Sequence, residues 1–214
     1  MLLVQARLLE VAIAEFGSKG LDGASTRGIA ARAGTAMSSI SYHYGSKEGL
    51  YLAAADHIGR RMGEEMADLL EPSDVDERDP AAARVAIQRM LERFADKMAG
   101  HATDGWALFV AREQTHPGAA FDRLFDGGMG RVLNRLVNLV RVAAGPMNRH
   151  TAAIAAVTLF GQVLALRSSR AACLRLLCAD ELSGVVLVDL KRRIAANTDA
   201  MLDRLAVEAR ETRP

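Results

Sequence analysis

Apolar positions recur with a helical period almost from the first residues. Leu9, Ile13 and Phe16 follow at intervals of four and three and lay one apolar stripe on a helix. Gly20, within Ser18-Lys19-Gly20-Leu21, reads as its C-terminal stop. Ser25 or Thr26 caps a second helix to about Arg32, and Gly34 ends it. A third helix fits Ala36 to Tyr44; Gly45 breaks it, and Ser46 caps a fourth running to about Leu70. Glu71-Pro72-Ser73-Asp74 opens the clearest break in the chain, and Pro80 suits the first turn of a fifth helix carrying Val85, Ile87, Leu91 and Phe94. After a short connection at Gly100 to Asp104, a sixth helix holds Trp106, Phe109 and Val110 and stops near His116, because Pro117 follows. A seventh spans about Gly118 to Val142, with Gly127-Gly128 as a weak spot or kink. Ala143-Ala144-Gly145-Pro146 is a turn, an eighth helix takes Arg149 to Arg170, and a last one takes about Ser183 to Ala209. The stretch from Ala171 to Leu182 is ambiguous. The pattern predicts an all-α protein of about nine helices with no strand and no internal repeat.

Composition supports that class. The chain of 214 residues holds 38 alanines against 5 prolines and 3 tyrosines, a balance that favours helix over sheet. Half the residues are apolar and a quarter charged, as in a folded globular protein rather than a disordered one. The longest apolar stretch, Thr151 to Leu166, is shorter than the roughly 20 residues of a membrane span and contains Thr158 and Gln162, so it reads as a buried helix. No signal peptide is predicted, and two cysteines, Cys173 and Cys178, are too few for a disulfide framework. A cytoplasmic protein is expected. The formal net charge of +1 argues against bulk electrostatic binding of nucleic acid but leaves room for a local basic face.

Residues 25–44 read helix, glycine turn, short helix, the layout in which a second helix enters the DNA major groove. The third helix is poorly suited to packing. Ser38, Ser39, Ser41, Tyr42 and His43 are small or polar, and Ile40, with Tyr44, offers its buried face. Side chains of this kind hydrogen-bond phosphates and base edges. A Ser-rich helix is otherwise a solvated surface; its place after Ser25-Thr26-Arg27 and before Ser46-Lys47-Glu48 favours DNA. Thr26 and Lys47 stand at helix N-termini, where anions are favoured.

Three stretches together resemble TetR-family transcriptional regulators. Leu9-Glu10-Val11-Ala12-Ile13-Ala14-Glu15-Phe16-Gly17-Ser18-Lys19-Gly20 is similar to the family's opening helix. Ser25-Thr26-Arg27-Gly28-Ile29-Ala30-Ala31-Arg32-Ala33-Gly34 resembles its second helix and turn. Ser41-Tyr42-His43-Tyr44-Gly45-Ser46-Lys47-Glu48-Gly49-Leu50-Tyr51 resembles its most recognisable segment. Farther on, Arg112-Glu113-Gln114-Thr115-His116-Pro117 with Ala120-Phe121-Asp122, and Gly161-Gln162-Val163-Leu164-Ala165-Leu166-Arg167, look like the CecR-type subset. The resemblance implies a homodimeric repressor whose first three helices (domain 1–46) bind a palindromic double-stranded operator and whose remainder (47–214) holds the dimer interface and an inducer pocket. It implies that Thr26 and Arg27 meet phosphate or an adjacent base, that Met37, Ser38, Ser39 and Ser41 face base edges, and that Tyr42, His43 and Lys47 hold phosphates. No cofactor is implied. Three positions depart from the family pattern. Gly28 stands where Asp or Glu is usual, which removes the capping box with Ser25 and costs about 1 kcal/mol of helix propensity relative to Ala. Thr35-Ala36 replaces a Val-Ser turn, and Ser41 stands where Tyr is common. Over residues 1–50, five cations face four carboxylates, so few ionic phosphate contacts and a modest salt slope are expected.

The large side chains Phe94, Met98, Trp106, Phe109, Phe121, Phe125, Met129 and Phe160 concentrate in the middle helices. Packing is the ordinary role of such residues. The resemblance adds a second, an apolar inducer pocket with Arg112, Glu113, Gln114 and His116 as nearby polar groups. Glu113-Gln114-Thr115-His116 has the spacing of half a di-iron site, yet no second Glu-x-x-His exists, so that enzyme class is rejected; a looser metal site using His101, Glu113 and His116 stays open. Cys173 and Cys178 lie five apart, an awkward separation for a bridge on one helix. No Walker loop, dinucleotide fingerprint or nucleophile elbow is present, and no enzyme is expected. The eighth helix carries Ala152, Ala153, Ala155, Ala156, Val157, Phe160, Val163 and Leu164 and has almost no polar face, so the last two helices are the expected dimer contact. The alternative is a helical ligand-binding protein that does not bind DNA, against which Tyr42, His43 and Lys47 speak.

Overall fold

The computed structural model describes residues 2–67, 79–100 and 106–211. All regular structure among them is helical: α1 (Leu2–Gly23), α2 (Thr26–Ala33), α3 (Ser38–Tyr44), α4 (Lys47–Glu65), α5 (Pro80–Ala99), α6 (Trp106–Thr115), α7 (Ala119–Leu124), a π-helical turn (Phe125–Met129), α8 (Gly130–Ala144), α9 (Arg149–Ser168), α10 (Arg170–Leu176) and α11 (Gly184–Glu211). The predicted break at 71–74, the connection at 101–104 and His101 lie outside the described residues.

Short polar residues set the helix starts. Ser25, Ser46, Asp79 and Asn148 each accept a hydrogen bond from the backbone N–H three residues on, satisfying a donor that the first turn leaves open. Ser25 therefore caps α2 even with Gly28 in place of an acid. Gly34, at φ 70°, ends α2, with its N–H on Ala31 O and that of Thr35 on Ala30 O. Gly20 also has a left-handed φ, 73°, but it kinks α1 rather than ending it, and the helix resumes to Gly23. The predicted seventh helix is interrupted at its glycines. Phe125–Met129 winds as π-helix between α7 and α8, and the ambiguous stretch after Arg170 contains the short α10.

Two compact units result. The first is Met1–Ala67 with Ala102–Arg131, so α6, α7 and the π turn join the N-terminal helices. Its core includes Leu8, Ala12, Phe16, Ile29, Ile40, Leu50, Ile58, Phe109 and Leu124. Burying each large side chain contributes roughly 1.5–3 kcal/mol. Tyr51 is the hinge of this core: its ring meets Phe16 edge-on at 4.9 Å and Phe109 at 4.6 Å. The second unit is Asp68–His101 with Val132–Pro214. In it α5 packs against α9 and α11 through residues that include Ile87, Leu91, Leu159, Val163, Ile194 and Leu202, all buried. Two arginines close the end of α5: Arg167 and Arg170 donate to the carbonyls of Lys97 and Ala99, complementing the negative end of the helix.

Candidate functional site

Local sequence dictates how α3 is presented. It is seven residues long, and only Ile40, 2% exposed, is buried. That side chain pins the helix to α1, α2 and α4 through the shared core. Helical geometry then turns Ser38 and Tyr42 to the opposite side. Both are exposed, Tyr42 at 83%, and so are Met37 and Ser41. Tyr44 is half-buried against the core, and its loss of solvent pushes its phenol pKa up.

The predicted DNA contacts fall into two groups. Arg27, Met37, Ser38, Ser41 and Tyr42 are solvent-exposed, with Thr26 half-buried at the start of α2. Ser39, His43 and Lys47 are instead engaged within the protein. The Ser39 hydroxyl lies 2.8 Å from that of Thr35, His43 Nδ1 lies 2.9 Å from Gln5 Nε2, and Lys47 Nζ donates to Asp22 O at 3.1 Å. The first holds α3 to the turn before it, and the other two tie α3 and the start of α4 to both ends of α1.

Charge is also committed internally. Glu15, 5% exposed, accepts from Lys19 and from Arg32 Nη1 at 2.6 Å. The Lys19 hydrogen bond, with the charges of Lys19 and Arg32, holds its carboxyl below the usual carboxylate range. Two of the five cations in the first fifty residues are thereby placed on a buried carboxylate of α1. This brace joins α1 to α2, and nothing in the hydrophobic pattern announces it.

Within the first unit α4 is bound to the later helices by an Asp56–Arg123 ion pair at 2.6 Å and at two further places. At the first, Tyr51 O–H donates to Glu113 Oε1 at 2.6 Å, with both residues buried. Desolvation, reinforced by that carboxylate, drives the Tyr51 pKa well above its ordinary value. Beside it, Arg112 Nη2 donates to Ser18 O at 3.3 Å, with its guanidinium against Gly20. The second place is a seam of glycines. A methyl on Gly128 would stand 2.6 Å from Gly63 N, and one on Gly127 would stand 2.8 Å from Gly59 Cα. Gly59 and Gly63, four apart on α4, let the π turn approach backbone to backbone. Sequence reasoning missed this role, although the spacing of the two pairs is its visible signal.

The candidates for ligand contact divide between the units. Phe94 and Phe160 meet edge-on at 5.3 Å in the second, where Met98 is half-buried. The first holds Trp106, Phe109, Arg112, Glu113, His116, Phe121 and Met129. Phe109 is core, and Glu113 is already bonded to Tyr51. Phe121 and Met129 are half-buried around the π turn; Phe121 lies 6.1 Å from Phe125, and Gln114 Nε2 is 3.6 Å from Met129 Sδ. A groove between α5 and α11, lined by residues such as Gln88, Leu91, Ile194 and Thr198, touches none of these candidates. No group of three or more His, Cys, Asp or Glu side chains is arranged to hold a metal among the described residues, and His116 is exposed.

A second exposed surface is apolar. On α9, Ala152, Ala155, Ala156, Leu159, Val163 and Leu166 are buried, while Ile154, Val157 (70% exposed) and Leu164 face outward. Val185 (76%), Val188 and Val207 do the same on α11. By length and composition alone α9 would also suit a membrane, but one side of it is packed within the second unit. Cys173 is half-buried and Cys178 exposed, and both are free thiols.

Residues 8–54 match the model of the bacterial regulatory proteins of the tetR family, and residues 83–205 match that of the C-terminal domain of the HTH-type transcriptional dual regulator CecR. The chain is 32% identical over 166 residues to the HTH-type transcriptional dual regulator CecR of Shigella flexneri, covering 75% of this chain and 74% of that one. The fold is similar to that of a TetR-family transcriptional regulator from Streptomyces coelicolor, with a TM-score of 0.66 at 15% identity, covering 96% of this chain and 97% of the other. It is also similar to the transcriptional regulator FadR from Bacillus subtilis in complex with stearoyl-CoA, with a TM-score of 0.57 at 14% identity and coverage of 94% and 97%.

Proposed function

The chain belongs to the TetR family of transcriptional regulators, with a CecR-type C-terminal domain, and from that premise we propose that it is a homodimeric repressor released from a palindromic operator by a small, largely apolar molecule. It is a DNA-binding regulator and not an enzyme. The observation that carries the operator reading is the presentation of α3: one buried anchor, Ile40, with Ser38, Ser41 and Tyr42 turned outward. In this reading Met37, Ser38, Ser39 and Ser41 serve base edges, and Thr26, Arg27, Tyr42, His43 and Lys47 serve phosphates. The head spans 1–46 and the regulatory and dimerisation part 47–214, a functional division that cuts across the compact units because α4 packs with both the head and the π turn.

The dimer forms through α9 and α11. Exposed Ile154, Val157 and Leu164 at helical spacing, with Val185 and Val188, support it, since such a patch is unfavourable in water and a two-fold axis can cover it with its own copy. The ligand class rests on the half-buried Phe121 and Met129 beside the π turn, and on the stearoyl-CoA held by the similarly folded FadR. Because backbone meets backbone at the glycine seam, displacement of the π turn is carried into α4 and so to Lys47 and α3. A ligand with higher affinity for the displaced state shifts the population away from the spacing that fits two half-sites about 34–36 Å apart. The protein acts in the cytoplasm, where its operator lies.

The test is a binding titration on a duplex selected from a randomised pool by the wild-type protein, repeated with a panel of fatty acids and acyl thioesters. Specific binding with a shallow salt slope, weakened by at least one apolar ligand, is the expected result. Binding no tighter than to bulk DNA would overturn the repressor reading.

A further inference from the structure

We propose that Gln5 is a positioning residue for DNA recognition: its carboxamide holds His43 in the neutral tautomer with hydrogen on Nε2, making that N–H the donor to a phosphate oxygen. This rests on the reading of α3 as the DNA-contacting helix. Gln5 Nε2 lies 2.9 Å from His43 Nδ1, across 38 residues of sequence. A carboxamide nitrogen only donates, so Nδ1 accepts and the ring proton resides on Nε2. The ring is steadied from two further directions, by Tyr42 edge-on at 4.8 Å and by Tyr44 at 6.3 Å. Gln5 is itself well placed to hold it. It is half-buried, and Leu8 and Ala12, three and seven residues along the same helix, are fully buried and fix the start of α1.

The chemistry depends on which nitrogen carries the proton. A phosphate oxygen accepts hydrogen bonds and donates none. The Nε2–H tautomer offers it a donor, whereas the Nδ1–H tautomer would turn a lone pair toward it. Gln5 therefore acts on the duplex through His43, outside the three helices' recognised contact positions.

Gln5→Met keeps the length and helix propensity of the side chain and removes the donor. In alkaline buffer without DNA, nitrogen-15 spectra of the His43 ring are expected to show the Nε2–H form alone in the wild type and a mixture in Gln5→Met. Affinity for the duplex selected by the wild type should fall about threefold to tenfold in Gln5→Met, with an unchanged melting temperature. In a His43→Ala background the same substitution should cost nothing further. An Nδ1–H form in the wild type, or an equal cost with and without His43, would overturn the proposal. If His43→Ala alone leaves affinity unchanged, the DNA-contacting role of His43 fails, and the proposal with it.

Discussion

The outward side of α3 and the outward side of α9 are both exposed, yet they are opposites in chemistry. Ser38, Ser41 and Tyr42 form a polar face on a short helix held by one isoleucine. Ile154, Val157 and Leu164 form an apolar stripe on a helix of 20 residues. Water is an acceptable partner for the first and a poor one for the second. One surface therefore suits a hydrogen-bonding ligand that comes and goes, and the other suits a protein cover. In the proposed reading, operator DNA and a second copy of the chain fill these roles.

Charging the apolar side should have the most severe consequence. Val157→Glu should convert the dimer to a monomer of 23.0 kDa in light scattering. Losing the linkage between two heads should lower operator affinity about a hundredfold or more. A Val157→Glu dimer that binds normally would show that α9 is not the interface. Next in size, Tyr42→Ala should reduce affinity about tenfold while leaving the dimer mass unchanged; loss of the dimer as well would deny that the two surfaces are independent. A smaller effect tests the approach of the π turn to α4. Gly128→Ala inserts a methyl into the glycine seam and should destabilise the fold by about 1–3 kcal/mol in denaturant titration. Gly28→Ala, whose nearest neighbour atom would be 3.6 Å away, should be neutral or stabilising.

The brace beneath α2 should give another small effect. Glu15 has its pKa lowered in the folded protein, so its stabilisation is complete above the unfolded-state value and is lost as pH falls through the folded one. Its partners Lys19 and Arg32 are more than half exposed, which screens the pair. Glu15→Gln should therefore cost about 1 kcal/mol at neutral pH, with the gap to wild type closing in acid. A pH-independent gap would assign Glu15 a packing role alone.

Much of the head was legible because its determinants are local. Ser25, Gly34, Gly45 and Ser46 mark helix ends by their own backbone chemistry, and Ile40 stands out as the large apolar residue among serines. The apolar stripe of α9 was legible as composition, although which residues face inward required the packing of α5 against it. What escaped was non-local. Glu15 reads as an ordinary surface acid until Arg32 is brought to it. Glu113 reads as a pocket residue until Tyr51, 62 positions away, donates to it. The kink at Gly127-Gly128 was anticipated as weakness, whereas it is a close approach that depends on Gly59 and Gly63. Helix periodicity records burial, not the partner across the interface.

In the proposed reading, a polar α3 reads DNA from a dimer closed by an apolar α9 and α11. Its most direct test is the mass of the complex with the selected duplex, measured by light scattering alongside the sequence recovered. Two chains on one duplex and a recovered sequence with two-fold related half-sites are expected. One chain per duplex, or no sequence enriched over the starting pool, would contradict it.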